Sequence, residues 1–174
     1  MRNICFSAAT SLDGFIAGPK GEHDWIVMDP EIDFMAMMSR FDTVLMGRKT
    51  FEASRAMQGS GGMPGVTSIV ISSTLKPAEY PEVTIWNDDL VKKLTALRKS
   101  PGKDIWLFGG GALLRSLIEL KQVQRIELAI VPVLLGTGIP LLPGLDKYCK
   151  LKLLQAKTYQ KTGTQSLEYE VKTK

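Results

Sequence analysis

Residues 105–120 read Ile105-Trp106-Leu107-Phe108-Gly109-Gly110-Gly111-Ala112-Leu113-Leu114-Arg115-Ser116-Leu117-Ile118-Glu119-Leu120, and this stretch decides the fold class. Ile105 to Phe108 is a short apolar run. Leu113, Leu114, Leu117 and Ile118 then recur at helical spacing, with Arg115, Ser116 and Glu119 on the other side. The pattern predicts a buried strand, a glycine turn and an amphipathic helix. The first turn of a helix leaves backbone N–H groups unpaired at its positive dipole end. Glycines let a ligand come close to that backbone, so the turn suits phosphate or another anion. The same stretch also fits a tight turn that binds nothing, since it lacks the G-x-G-x-x-G and P-loop spacings.

Upstream, more units of this kind appear. Arg2 to Ala9 reads as a buried central strand, followed by Ser11-Leu12-Asp13-Gly14. Asp13 is a turn residue or, just past a strand end, a ligand contact. Asp29-Pro30-Glu31 is predicted to start a helix, with Phe34, Met37, Met38 and Phe41 as its buried stripe. Thr43 to Met46 is a second strand running into Gly47-Arg48-Lys49-Thr50, a further strand-to-helix turn with two cations and a hydroxyl. Met57 to Gly65 is a glycine-rich loop. Val66 to Ile71 is a strand ending in Ser72-Ser73-Thr74. Val83 to Trp86 is another, after which Asp88 and Asp89 offer caps to a helix carrying Leu90, Val91, Leu94 and Leu97.

From Arg125 the pattern changes. Ile126, Leu128 and Ile130 alternate with Glu127 and Ala129 as in a strand. Pro132 to Gly144 is an apolar loop, and Lys150–Tyr159 with Ser166–Val171 reads as an antiparallel pair. The whole predicts one domain over residues 1–174. It is a three-layer αβα sandwich with a mixed, mostly parallel central sheet and a C-terminal antiparallel hairpin.

Composition narrows the function. The chain has 174 residues and a formal net charge of +4, too mild and too dispersed for a nucleic-acid module, so no nucleic acid is expected. No apolar run approaches the roughly 20 residues that span a bilayer, so no membrane association is expected and the reading is cytoplasmic. Cys5, Cys149 and the lone His23 give neither a disulfide framework nor a zinc cluster, and no metal is expected. The positive balance suits an anionic small molecule.

The strands ending at Met46, Ile71 and Phe108 all lead into groups suited to phosphate, and a parallel sheet would bring those ends to one edge. A dinucleotide could use them together. Serines with an arginine, and no carboxylate for a ribose, favour a 2′-phosphate and hence NADP over NAD.

Val44 to Thr50, Ile71-Ser72-Ser73 and Gly109-Gly110-Gly111 resemble the cofactor motifs of dihydrofolate reductase. Ser11 to Ala17 and Pro132 to Gly138 are similar to the reductase domain of riboflavin biosynthesis and its stand-alone relatives. The resemblance covers nearly the whole chain and implies a dihydrofolate reductase-like fold with NADPH as cofactor. It implies an oxidoreductase of the 5-amino-6-(5-phosphoribosylamino)uracil reductase or dihydrofolate reductase type. Arg48, Ser72 and Ser73 would hold the 2′-phosphate. Thr50 and the Gly110-Gly111-Ala112-Leu113 turn would hold the pyrophosphate, Gly47, Lys49 and Gly109 would also bind the cofactor, and Ala9 and Ile16 would border the nicotinamide. Asp13, Trp25 and Met35 would line the substrate pocket, with Asp13 or Glu31 as the catalytic group. Glu31 comes from counting back without gaps from Gly47. Two features depart from the riboflavin-pathway pattern: Phe108 replaces an acidic residue, and Gln124-Arg125 replaces an Asp-Glu pair. Both count against that pathway's own substrate. The alternative is a non-catalytic NADP(H)-binding protein of the same fold. The resemblance and the apolar 131–145 loop imply a homodimer.

Overall fold

The computed structural model describes residues 1–59, 62–63 and 65–172. The central strand, β1 (Ile4–Ser11), is followed by the short β2 (Phe15–Ala17), then α1 (Phe34–Met38), β3 (Phe41–Gly47) and α2 (Arg48–Gln58). Next come β4 (Thr67–Ile71), β5 (Thr84–Trp86), α3 (Leu90–Lys99), β6 (Asp104–Gly109) and α4 (Gly111–Glu119). The chain ends with β7 (Arg125–Val131), β8 (Ile139–Pro140), β9 (Leu151–Thr158) and β10 (Gln165–Val171).

The main sheet has the order β5-β4-β3-β6-β1-β7-β10-β9. The first six of these run parallel, while β10 is antiparallel to β7 and β9 antiparallel to β10. This is the mostly parallel sheet with a C-terminal hairpin that the residue pattern predicts. Continuous apolar runs such as Ile4-Cys5-Phe6 and Ile105-Trp106-Leu107 are buried on both faces, as strands covered by helices must be. On one face Leu94 of α3 and Leu113, Leu114 and Leu117 of α4 pack on Ile4, Phe6, Leu45 and Leu107. On the other, Phe51 of α2 and Met38 of α1 join Cys5, Val44, Met46 and Trp106.

The region before β3 differs from expectation. Asp29 does not start a helix. Its buried carboxylate accepts from Glu31 N at 2.9 Å and from the hairpin turn, through Thr162 N at 3.1 Å and Thr162 Oγ1 at 3.0 Å. With Asp29 committed to that tether, the helix begins later, capped by Asp33 through Ala36 N at 2.8 Å. The five-residue α1 fully buries none of its side chains: Met38 packs partly buried against the core while Phe34 is 46% exposed, so the expected stripe forms only in part. Phe41 is buried as the first residue of β3 instead. Asp89 does take the N-cap position of α3, but its side chain makes no cap hydrogen bond, and Asp88 pairs with Lys93. The glycine-rich loop splits: α2 continues to Gln58, and Ser60, Gly61 and Pro64 lie outside the described residues.

A small ribbon was not anticipated. β2 pairs with β8, Phe15 opposite Pro140 and Ala17 opposite Ile139. It brings the 140–143 segment against the start of α4. A Cβ on Gly111 would sit 2.6 Å from Leu141 O, 2.9 Å from Pro140 O and 2.8 Å from Pro143 Cδ. Only glycine fits there without moving backbone. Gly111→Ala is expected to destabilise the protein by about 1–3 kcal/mol through overpacking, read as a lower midpoint in urea unfolding.

Candidate functional site

The strand order sets β4, β3 and β6 side by side, so their C-terminal ends share one edge. Gly47 at the end of β3 lies opposite Ile71 of β4, and Met46 lies opposite Gly109 of β6. Gly47 is the N-cap of α2 and Gly110 that of α4, both in extended backbone. The first turns, Arg48-Lys49-Thr50 and Gly111-Ala112-Leu113, therefore start from neighbouring strands. They are also close in space: Thr50 Oγ1 is 3.6 Å from where a Cβ on Gly110 would be, and Leu113 Cβ is 3.8 Å from that of Gly47. Neither first turn carries an acidic residue. Two adjacent helix starts and two nearby cations are chemically suited to an anion.

The side chains at this edge are not equally available. Arg48 pairs with Glu52 at 3.0 and 3.2 Å, both about half exposed. An exposed pair one helical turn apart is worth little and is readily exchanged for another anion. Ser72 is buried, and its hydroxyl oxygen accepts from Thr74 N and Leu75 N at 3.2 and 3.1 Å, so it shapes the turn after β4. Ser73 beside it is exposed. The Gly109–Gly110 peptide is cis, and Gly109 has φ +138°, a conformation natural only to glycine.

Ala9 is half-buried near the end of β1, opposite Ala129 of β7. Ile16 is half-buried in β2, which the Thr10 hydroxyl ties to β1 by donating to Phe15 O at 3.2 Å. Asp13, although exposed, is fully engaged. Ser11 Oγ donates to it at 2.6 Å, Gly136 N at 2.7 Å and Leu135 N at 3.1 Å. It clamps the turn after β1 to the loop after β7. Trp25 is half-buried, its indole N–H donating to Glu22 O at 3.2 Å. Met35 is 77% exposed on α1. Glu31 is exposed in the turn that Asp29 holds, and among the described residues its carboxylate has no partner. Arg48, Thr50 and Gly110 thus come together, and Ala9, Asp13 and Ile16 lie at the same edge further along the sheet. Glu31 and Met35 belong to the tethered segment before β3. Sequence reading gave Asp29 a helix cap in place of this tether, and missed Thr162 and the 140–143 backbone. The one signal for the last was a third glycine, Gly111, beyond the two that a turn needs.

The chain belongs to the RibD C-terminal domain family, whose model matches residues 2–164. It is similar to the uncharacterized protein YyaP of Bacillus subtilis (strain 168), with 34% identity over 169 residues covering 91% of this chain and 89% of that one. Among solved structures it resembles a putative riboflavin biosynthesis protein from Shewanella sp. PV-4, with TM-score 0.82, 25% identity, and 99% and 100% of the two chains covered. It also resembles dihydrofolate reductase from Enterococcus faecalis complexed with NADP(H), with TM-score 0.71, 16% identity, and 98% and 97% covered. The fold is therefore reductase-like and of the dihydrofolate reductase type. Among the described residues no helix is long and apolar enough to cross a membrane.

Two carboxylates hold the loops of this edge, and both are held below the usual carboxylate range. For Asp13 the Ser11 hydroxyl does most, helped by the Gly136 and Leu135 amides, with burial acting the other way. For Asp29 burial pushes upward, but the Glu31 amide and the Thr162 hydroxyl and amide outweigh it, with Lys161 adding to them. A depressed folded-state pKa contributes stability above the unfolded value, near 3.9, that is lost as pH falls through the folded value. Melting temperature should therefore drop on acidification from pH 5 to 2. A double Asp13→Asn, Asp29→Asn variant should melt lower at pH 7 and show a flatter acid limb; an unchanged acid limb would remove the clamps from the account.

Proposed function

We propose that the chain is an NADPH-dependent reductase that passes a hydride to a small heterocyclic substrate of pterin or pyrimidine type. The observation that carries this reading is the meeting of two acid-free helix starts, with Thr50 beside Gly110, at the C-terminal edge of a parallel sheet. The residues fit the cofactor. The α2 and α4 first turns and Thr50 would hold the pyrophosphate. Arg48 and Ser73 would hold the 2′-phosphate, Arg48 by exchanging Glu52 for it. Ser72 supports that pair by fixing the turn. Ala9 and Ile16 would border the nicotinamide, which when bound supplies the hydride.

The protein's own work is to orient two rings and exclude water between them. The segments that would face the substrate in this reading carry bare apolar side chains: Leu12, Val27, Met28, Phe34, Met35 and Leu134 are 46–77% exposed. With half-buried Trp25 they offer flat apolar contact to a heterocycle. Asp13, committed to three donors, acts best as a positioning residue that fixes the loop over the ring. Glu31, with no competing partner among the described residues, is the proton donor of this proposal. In the same reading the protein works in the cytoplasm.

A second reading, a non-catalytic NADP(H)-binding protein, draws support from the engagement of Asp13, which leaves Glu31 alone among the proposed acids. Turnover of any pterin or pyrimidine with NADPH would exclude it, and tight NADPH binding without turnover across such a panel would favour it. Arg48→Ala should weaken NADPH roughly 10- to 100-fold, the worth of a charge-assisted contact, and leave NADH nearly unchanged. Equal losses would sink the 2′-phosphate assignment.

The chain is also proposed to form a homodimer. Every residue of the edge strand β9 is exposed, including Leu151, Leu153 and Leu154 at 42–53%. Such an edge invites cover. Sedimentation should give a dimer-sized species, and Leu153→Lys should shift it to monomer; monomer alone for the unaltered chain would refute the assignment.

A further inference from the structure

At the opposite edge of the sheet, where β1 and β7 begin, a cleft of about 400 Å³ is lined by Asn3, Arg98, Lys121, Gln124, Arg125 and Glu170 with the apolar Val123, Leu154 and Val171. A volume of this size suits a small metabolite. A second cleft, of about 460 Å³, also has Arg98 in its lining, together with Arg2, Lys99 and Lys103. The cations are not equivalent. Arg2 is bound to Asp42, and Arg125 to Glu168. Glu170, the carboxylate of the first cleft, has Lys172 3.7 Å away. Arg98 stands apart. Its Nε donates to Arg2 O at 3.1 Å, and among the described residues no carboxylate pairs with it. Burial alone moves its pKa, downward, with no anion offsetting the cost.

A half-buried guanidinium normally has a carboxylate or phosphate to match its planar fork. Its place in the last turn of α3 complements the helix dipole, but Lys99 beside it does the same from an exposed position. The spare donors of Arg98 border a cleft with buried Val123 and Val171 on its wall and Leu154 partly exposed.

We infer that this cleft is a second small-molecule site, distinct from the cofactor edge, for a compact organic anion. Its phosphate or carboxylate head would sit on Arg98, with Arg125 and Lys121 near, and its short apolar body on Val123, Leu154 and Val171. The site does not depend on the reductase reading, because the sheet separates the two edges.

Phenyl phosphate is a suitable probe, with inorganic phosphate as the control, both followed by calorimetry. The unaltered chain and Arg48→Ala should bind phenyl phosphate alike, and inorganic phosphate more weakly. Arg98→Gln should lose roughly 10- to 100-fold in affinity, as for one charge-assisted contact. Leu154→Glu should lose affinity as well by placing a charge against the apolar body, whereas Leu153→Lys, which alters the same β9 edge without lining the cleft, should not. Unaltered NADPH binding by Arg98→Gln would show that the variant is folded. Absence of phenyl phosphate binding to the unaltered chain, or a loss confined to Arg48→Ala, would overturn the site. Equal affinity for inorganic phosphate would overturn the apolar half of it. Failure of the unaltered chain to bind NADPH would remove the reductase reading and leave this test standing.

Discussion

The start of α4 is held by a contact that permits no side chain. Gly111 lies so close to the carbonyls of Pro140 and Leu141 that a methyl group would meet both. That seating fixes the helix against the ribbon formed by β2 and β8, and it fixes where the N–H groups of the first turn point. The helix is anchored from beneath by Leu113, Leu114 and Leu117 in the core. Close-packed interiors leave little slack, so an anchored helix carries its terminus to a defined place. The shared edge depends on that place, because β3 and β6 are neighbours only a strand spacing of about 5 Å apart and their helices must start side by side.

A division of labour runs along this edge. On the β4-β3-β6 side the available groups are mostly backbone, supported by buried strands that leave no freedom. On the β1-β7-β10 side the loops are held by carboxylates: Asp13 joins the turn after β1 to the loop after β7, and Asp29 joins the segment before α1 to the hairpin turn. Hydrogen bonds to an ionised carboxylate are stronger than neutral ones, so a few of them can order loops that bury little apolar surface. The first side suits a part common to many ligands, the phosphates. The second, with α1 fully burying none of its side chains, suits the part that differs from one substrate to another.

The legibility of the chain follows the same division. Strand-to-helix units were readable because their signals are local: an apolar run, a glycine, then an apolar stripe of helical period, as in Ile105 to Leu120. That all of these ends meet at one edge follows from parallel pairing, which strands with intervening helices enforce. Asp29-Pro30-Glu31 misled because a cap residue and a proline are equally good at making a turn. What decided between them was Thr162, 133 residues away, which takes the carboxylate that a cap would have used. No local pattern contains that partner. The β2–β8 ribbon was hidden for a similar reason: three residues paired with two give too short a period to detect.

Asp13 shows how a correct location can leave a role open. A carboxylate just past the end of a central strand lies where ligands bind in open sheets, and sequence placed it there. Chemistry, however, depends on which lone pairs remain. A carboxylate has about four acceptor positions, and here the Ser11 hydroxyl and two loop amides occupy most of them. Those donors favour the anion, which is the wrong form for giving a proton and the right one for holding a loop. The same bonds join the turn after β1 rigidly to the loop after β7. In the proposed reductase such a rigid join would help hold two rings in register, on which the rate of a hydride transfer depends.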